Sequence, residues 1–250
     1  MSSLPLSHVK FAEYLRKHKA QNSLVDLRGH KRMTHTSMAG PPGKYNIPDE
    51  ELDVFEDMYF DAVIQDGFVA HMTEAPSDYS PIKVDLDFRY LSPECTRRYT
   101  PKMLTEYMCA CMKGVEMWTN GSMLDRSQRH CLVFEKTKPR YKSNSDEAQD
   151  TRTVKDGVHL MWPLLVTDWT FQEHVRKHVL ANHASIFEDM ELTNSMSDVV
   201  DIAVIRRNNW QMYKSCKPGC EAYALTGVFV VWADRCEAVN VKEFVSQVGG

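Results

Sequence analysis

Within Val84-Asp85-Leu86-Asp87-Phe88, acidic and apolar residues alternate. In an extended strand that spacing turns both carboxylates to one face and leaves Val84, Leu86 and Phe88 to anchor the other. Two like charges about 5 to 7 Å apart repel, so the pair calls for a cation, a shared proton or a basic side chain. Magnesium or manganese is the natural partner for ligands that offer only oxygen. A solvated strand face, with Lys83 and Arg89 as counter-charges, is the other reading of the same residues.

A third acid, Asp201, interrupts the apolar run Val199 to Ile205, which by composition is fit for a buried strand. A carboxylate buried without a partner costs several kcal/mol, so Asp201 needs a cation, a set of hydrogen bonds or access to water. An edge position open to solvent would meet that need without any metal. In Lys155-Asp156-Gly157-Val158-His159, alternation places Lys155, Gly157 and His159 on one side. Glycine between two cationic or hydrogen-bonding side chains permits an anion to approach the backbone closely. A strand histidine is also an ordinary structural residue. From Arg206 to Lys217 there are four basic residues and no acid, interleaved with Asn208, Asn209, Trp210 and Tyr213. Such a mixture suits phosphate, sugar and base together, or simply a solvated turn.

The elements that must position these residues can be read from the same chain. Ser7 precedes an amphipathic helix whose face is Phe11, Tyr14, Leu15 and His18. Asn22 to Lys44 is polar and ends in Ala39-Gly40-Pro41-Pro42-Gly43, which predicts a loop. Pro48, with Asp49, Glu50 and Glu51, opens a second helix carrying Leu52, Phe55, Tyr59 and Val63, closed near Gly67. Strands are expected at Phe68 to Thr73 and Ile82 to Tyr90. Thr100-Pro101 opens a third helix that runs to Trp118 and is closed by Asn120-Gly121. Strands follow at Cys131 to Glu135 and Gly157 to Trp162, separated by a polar tract, 136–152, expected to be a flexible surface insertion. Asp168 caps a helix reaching His183, and Val199 to Ile205 and Tyr223 to Trp232 complete the strands. Strands and helices do not alternate regularly, so the class is α+β with a mixed or antiparallel sheet.

Composition limits the partners. With 43% hydrophobic and 26% charged residues the chain is a globular protein, and no apolar run approaches the roughly 20 residues of a membrane span. The N-terminus lacks the pattern of a secretory signal, and seven scattered cysteines suit reduced thiols, so an intracellular protein with no membrane partner is expected. A net charge of -4 confines any nucleic-acid contact to local basic stretches. Cys109-Ala110-Cys111 and Cys216 with Cys220 lack zinc-finger spacing, so no zinc is expected. His174 and His178 lack the intervening Glu of a zinc-protease helix and read as a polar face.

These motifs, in this order, resemble the archaeo-eukaryotic primase superfamily: a paired carboxylate motif (Val84 to Tyr90), a histidine motif (Lys155 to His159), then a third acid with a basic extension (Asp201 to Lys217). The chain is similar to primase-polymerases of the PrimPol type and to the primase domains of primase-helicases of nucleocytoplasmic large DNA viruses. Weaker similarity runs through Thr34-His35-Thr36, Tyr45-Asn46-Ile47-Pro48 and Thr73-Glu74-Ala75-Pro76, so that it spans about residues 8 to 232. The resemblance implies one catalytic primase-polymerase domain over 1–250, with two lobes at about 8–90 and 91–232. The first lobe would be an α/β unit, the second a unit related to the RNA-recognition fold, and the active site would lie in the cleft between them.

It further implies that Asp85, Asp87 and Asp201 bind two magnesium or manganese ions, and that His159, Gly157 and Lys155 hold the incoming triphosphate. Lys217 would contact the distal phosphates, and Asn208 and Asn209 the sugar and nearby phosphate. The implied partners are a single-stranded DNA template and primer, ribo- or deoxyribonucleoside triphosphates and a helicase. The compartment for a viral member would be the host cytoplasm or nucleus. Asp85-Leu86-Asp87 replaces the Asp-x-Glu common in eukaryotic members, and Gly157 replaces their serine, so the viral branch fits better. Ser37 stands where relatives carry a triphosphate-contacting arginine, with Arg32 and Lys44 nearby. A non-enzymatic module that binds single-stranded nucleic acid is the competing function; a metal-dependent nuclease is a third.

Overall fold

The computed structural model describes residues 4–20, 33–119, 124–142, 152–242 and 244. In chain order its elements are α1 (Leu6–Lys17), β1 (His35–Ser37), β2 (Gly43–Tyr45), α2 (Leu52–Tyr59), β3 (Met72–Glu74), β4 (Tyr79–Leu91), α3 (Pro101–Trp118) and β5 (His130–Glu135). There follow β6 (Arg140–Tyr141), β7 (Thr153–Asp168), α4 (Trp169–Asn182), α5 (Met196–Val199), α6 (Ala203–Arg206), β8 (Trp210–Gln211), β9 (Ala224–Val231) and β10 (Cys236–Val239). Every strand pairing is antiparallel, and the fold is α+β. The chain divides into two compact units: 1–76 with 207–223 (unit 1), and 77–206 with 224–250 (unit 2).

Unit 2 is built on a six-stranded sheet in the order β10-β9-β5-β7-β4, with β6 also on β7. The alternation seen in the sequence decides its faces. Ile82, Val84, Leu86, Phe88 and Tyr90 point into a core filled by Leu104, Tyr107, Met108, Cys111, Met112 and Val115 of α3. Thr100 starts α3 by accepting a hydrogen bond from the Met103 amide, with Pro101 at the first helical position. Asp168 caps α4 in the same way through the Phe171 amide. Gly114 lets α3 and α4 approach, since a Cβ there would stand 3.2 Å from His178 and 3.4 Å from Val175. On α4 the His174 ring stacks on Trp118 of α3, with centroids 4.9 Å apart.

In unit 1 a four-stranded sheet runs β2-β1-β3-β8. One face, with His35, Tyr45 and Met72, is buried against Phe11, Leu15, Phe55 and Tyr59 of α1 and α2. The segment after β8 is strapped to β3. The Ser215 hydroxyl accepts the Met72 amide, the Cys216 amide reaches Ala70, and the Tyr59 hydroxyl donates to the Tyr213 carbonyl.

Several expectations are corrected. Val199 to Ile205 is not a strand: α5 and α6 flank Val200, which alone bridges to Leu86. Polar side chains redirect the backbone there, with Ser195 capping Asp198 and Asp201 capping Ala203. The loop predicted up to Lys44 contains β1 and β2, three-residue strands too short and polar to leave an alternating signature. Phe68 to Thr73 becomes a strand only from Met72, because the Ala70 and His71 carbonyls bind Cys216 and Met38 instead of a ladder. Pro5, not Ser7, precedes α1, and the Ser7 hydroxyl turns to Asp66. Of the tract 136–152, residues 140 and 141 form β6, while 143–151 lie outside the described residues, as do Arg32, Asn120 and Gly121.

Candidate functional site

The paired acids and the histidine motif form one ladder. β4 and β7 pair in register so that Asp85 faces His159, Asp87 faces Gly157 and Arg89 faces Lys155. Directly opposed residues of an antiparallel pair share a face, so all six lie on the side of the sheet away from α3. Asp87 Oδ2 is 3.0 Å from the Lys155 ammonium and 3.1 Å from the Arg89 guanidinium. His159 Nε2 stands 3.6 Å from Asp85 Oδ1. Gly157 places no side chain between Lys155 and His159. Like-charge repulsion between the two acids is thus offset at Asp87 by Arg89 and Lys155, while Asp85 has the His159 ring within reach.

Asp201 reaches the same face from the other edge of β4. Leu86 bridges antiparallel to Val200, and the Asp201 amide donates to the Asp85 carbonyl at 3.1 Å, which puts Asp201 directly opposite Asp85. Opposed Cβ atoms in such pairs are about 5 Å apart. Asp201 Oδ1 accepts the Ala203 amide at 2.8 Å.

The support for this edge was missed in the sequence. Asn194 accepts the Arg89 amide at 3.0 Å and donates to the Asp87 carbonyl at 2.8 Å, occupying backbone groups on either side of Phe88. Arg176 of α4 donates to the Val200 and Ser197 carbonyls at 2.8 and 2.7 Å and so fixes the turn that carries Asp201. Both are single polar residues whose partners are distant in sequence, and no local pattern distinguishes them.

Among the described residues, no three His, Cys, Asp or Glu side chains converge closely enough to hold a metal ion. Asp87 leans toward Lys155 and Arg89, and Asp201 toward Ala203. The donor set nevertheless fits a hard divalent cation: three carboxylates, all oxygen, on one face at neighbouring positions.

Asn208, Asn209 and Lys217 belong to unit 1. Asn208 and Lys217 are exposed; Asn209 is half-buried, with its amide nitrogen 3.0 and 3.1 Å from the hydroxyls of Thr36 and Thr73. Ser37 is buried and donates to the Ala39 carbonyl, while Lys44 is exposed on β2.

A family model described as the C962R protein N-terminal AEP domain, AEP being the archaeo-eukaryotic primases, matches residues 34–229. The chain is 30% identical over 187 residues to a protein of Acanthamoeba polyphaga mimivirus named "Putative helicase L207/L206". That alignment takes in 74% of this chain and 18% of the mimivirus protein, so the chain spans under a fifth of its relative's length. Among the described residues no helix is long and apolar enough to cross a membrane.

Proposed function

Because the chain belongs to the archaeo-eukaryotic primase family, a family of primase-like nucleotidyltransferases that generally use divalent metals, we propose that it is the catalytic domain of a DNA primase-polymerase. In this proposal it starts primers de novo on single-stranded DNA and extends them from nucleoside triphosphates. The observation that carries the reading is the opposition of Asp201, Asp85 and His159 across three neighbouring backbone segments on one face.

Asp85, Asp87 and Asp201 are the proposed ligands of two magnesium or manganese ions. Such ions, when bound, lower the pKa of the attacking 3′-hydroxyl and neutralise charge on the transferred phosphoryl group. Lys155 and His159 bind the triphosphate of the incoming nucleotide. Asp87 already orients the Lys155 ammonium at 3.0 Å, and Gly157 leaves the backbone open between the two side chains. A phosphate at that place takes over the role of counter-charge to Lys155. Asn208, Asn209 and Lys217 are the proposed nucleotide contacts of unit 1, with the exposed lysine as the partner of distal phosphate. A helicase, as a further domain or a separate protein, is the proposed neighbour, in keeping with the name of the mimivirus relative. The proposed place of action is intracellular, in the host cytoplasm or nucleus.

The test is primer synthesis. The wild-type domain, given single-stranded template, nucleotides and manganese, is expected to yield short products, and Asp85→Ala or Asp201→Ala to abolish them with an unchanged circular dichroism spectrum. Failure of the wild-type domain to add any nucleotide, even to an annealed primer, would overturn the proposal.

A further inference from the structure

Thr36, Thr73 and Asn209 share one face of the unit 1 sheet. Thr36 of β1 and Thr73 of β3 are direct partners in register, and Thr73 in turn faces Gln211, two residues beyond Asn209. The two hydroxyl oxygens lie 2.6 Å apart, and the Asn209 side-chain nitrogen is 3.0 Å from one and 3.1 Å from the other. Three heavy atoms thus form a closed triangle, and each side of it needs a hydrogen.

Counting hydrogens orients the amide. The two ends of an asparagine amide have the same shape, so the surrounding network decides which end points where. With nitrogen inward, the two amide hydrogens serve the two threonines, and one hydroxyl hydrogen serves the contact between them. Every side of the triangle is then satisfied. With oxygen inward, only the two hydroxyl hydrogens remain for three contacts, and one pair of oxygens meets without a hydrogen, an arrangement that burial penalises. The nitrogen-inward amide is the one the structure contains, and Oδ1 therefore points away from the triangle. Among the described residues no hydrogen bond to Oδ1 is found.

An amide oxygen accepts and cannot donate. It suits a hydroxyl or an amino group, whereas a phosphoryl oxygen, itself only an acceptor, is repelled. Lys44, the partner of Thr36 on β2, puts a cation next along this row.

We propose that Thr36 and Thr73 are positioning residues that lock Asn209 so that its amide oxygen accepts a hydrogen bond from a sugar hydroxyl of the incoming nucleotide. The inference rests on the primase reading and narrows its sugar-or-phosphate assignment of Asn209 to sugar. The selectivity then resides in three uncharged side chains of unit 1, two of them outside any catalytic motif.

Calorimetric titration of the full chain with a nucleoside triphosphate, its 2′-deoxy and 2′,3′-dideoxy forms, and inorganic tripolyphosphate tests it. Removal of the contacted hydroxyl is expected to weaken binding to wild type by about 3- to 13-fold, the worth of one ordinary hydrogen bond. The step between 2′-deoxy and dideoxy, or between ribo and 2′-deoxy, tells which hydroxyl is held. Asn209→Ala and the double variant Thr36→Val/Thr73→Val are each expected to bring that ratio close to one while leaving tripolyphosphate binding as in wild type. Thr73→Ser, which keeps the hydroxyl, is expected to retain the wild-type ratio, a rescue that loss of packing would not give.

Nucleotide binding with a ratio that Asn209→Ala leaves unchanged overturns the proposal alone, as does tripolyphosphate binding that Asn209→Ala weakens as much as it weakens the nucleotide. Absence of any nucleotide binding to wild type overturns the primase reading and this proposal with it.

Discussion

In unit 2, Asp85 and Asp87 ride on a 13-residue strand paired along its length with a 16-residue neighbour, whereas in unit 1 Thr36, Thr73 and Asn209 lie in or beside strands of two and three residues. Orientation has a different origin in each. Along β4, the direction of Asp85 and Asp87 follows from the register itself, because a one-residue slip would carry them into the core and Leu86 and Phe88 out of it. In unit 1 so few ladder bonds cannot enforce a direction, and side chains do it instead: Thr36 and Thr73 on Asn209, Ser215 on Met72, Tyr59 on Tyr213. Under the proposed primase reading, two of the three proposed metal ligands are thus set by strand register, and the proposed sugar contact by side-chain hydrogen bonds.

The sharpest way to break this contrast is kinetic. Asp85→Ala is expected to reduce primer extension by roughly three orders of magnitude, a loss in kcat, as for removal of a group that stabilises developing charge. Asn209→Ala is expected to raise KM by roughly tenfold or less with kcat retained. Steady-state extension assays on both variants check this, and a kcat collapse in Asn209→Ala equal to that of Asp85→Ala would erase the distinction between the units.

Stability offers the next largest effect. Asp156 lies on the core face of β7, its side chain 1% exposed, and holds Arg97 at 3.0 Å. Arg97 also reaches Glu135 at 3.0 Å, and the Tyr99 hydroxyl donates to the same Glu135. Burial, reinforced by the Glu135 bond, pushes the Tyr99 phenol far above its ordinary value, so it stays a donor at any working pH. Asp156→Ala leaves the half-buried guanidinium with one carboxylate and a fixed desolvation cost. A loss of about 3 kcal/mol is expected, at the lower end for a broken buried pair because part of the Arg97 side chain meets solvent. Urea unfolding followed by probes in each unit would show whether unit 2 alone is weakened.

For unit 1 a comparable but pH-gated loss is expected. His35 is buried against Phe55, with ring centroids 4.6 Å apart, and burial lowers its imidazole from 6.5 to about 4. The folded pKa is below the unfolded one, so the unfolded chain takes up the proton first as pH falls. The stabilisation is therefore complete above about pH 6.5 and is lost progressively toward pH 4, by roughly 3 kcal/mol in total. Hydrogen exchange between pH 7 and 4.5 should show β1 and β3 losing protection before β4 and β7, and His35→Phe should remove that order. Simultaneous loss in both sheets would count against a separate acid weakness in unit 1.

How legible each unit was follows from the same difference. The faces of β4, the start of α3 at Thr100-Pro101 and the cap of α4 at Asp168 all have local signatures, and the sequence announces them. The opposition of Asp85 to His159 has none, because it joins residues far apart in the chain, and only motif order hinted at it. The secondary structure around Asp201 was not legible: apolar composition points to a strand, and the capping bonds of Ser195 and Asp201 bend it into two helical turns. β1 and β2 were invisible because three residues cannot display a period. Asn194 and Arg176, which fix the edge of β4, were invisible because a lone polar residue in a turn or on a helix does not reveal its partner.

The smallest expected effect concerns helix ends. In unit 2, α3, α4 and α5 each receive a side-chain cap, from Thr100, Asp168 and Ser195. In unit 1, α1 begins after Pro5 and α2 after Glu51 with no side-chain cap among the described residues, and the first turn of α1 carries no acid. At α1 only the Pro5 carbonyl accepts first-turn amides, those of His8 and Val9, and at α2 the Leu52 amide is taken by the Asp49 carbonyl of the preceding 3-10 turn, so neither end has a side-chain acceptor among the described residues. Thr100→Ala should therefore cost unit 2 about 1 kcal/mol, while Pro5→Ser, which supplies a hydroxyl where none exists, should stabilise unit 1 by roughly 0.5 to 1 kcal/mol. The Pro5 backbone is already extended, with φ −51° and ψ 144°, so serine can adopt it without rearrangement. Thermal unfolding of the two variants measures both signs in one experiment. Should Pro5→Ser destabilise, the proline's restriction of the unfolded chain outweighs the missing cap, and the weaker local definition of unit 1 must reside in its short strands instead of its helix ends.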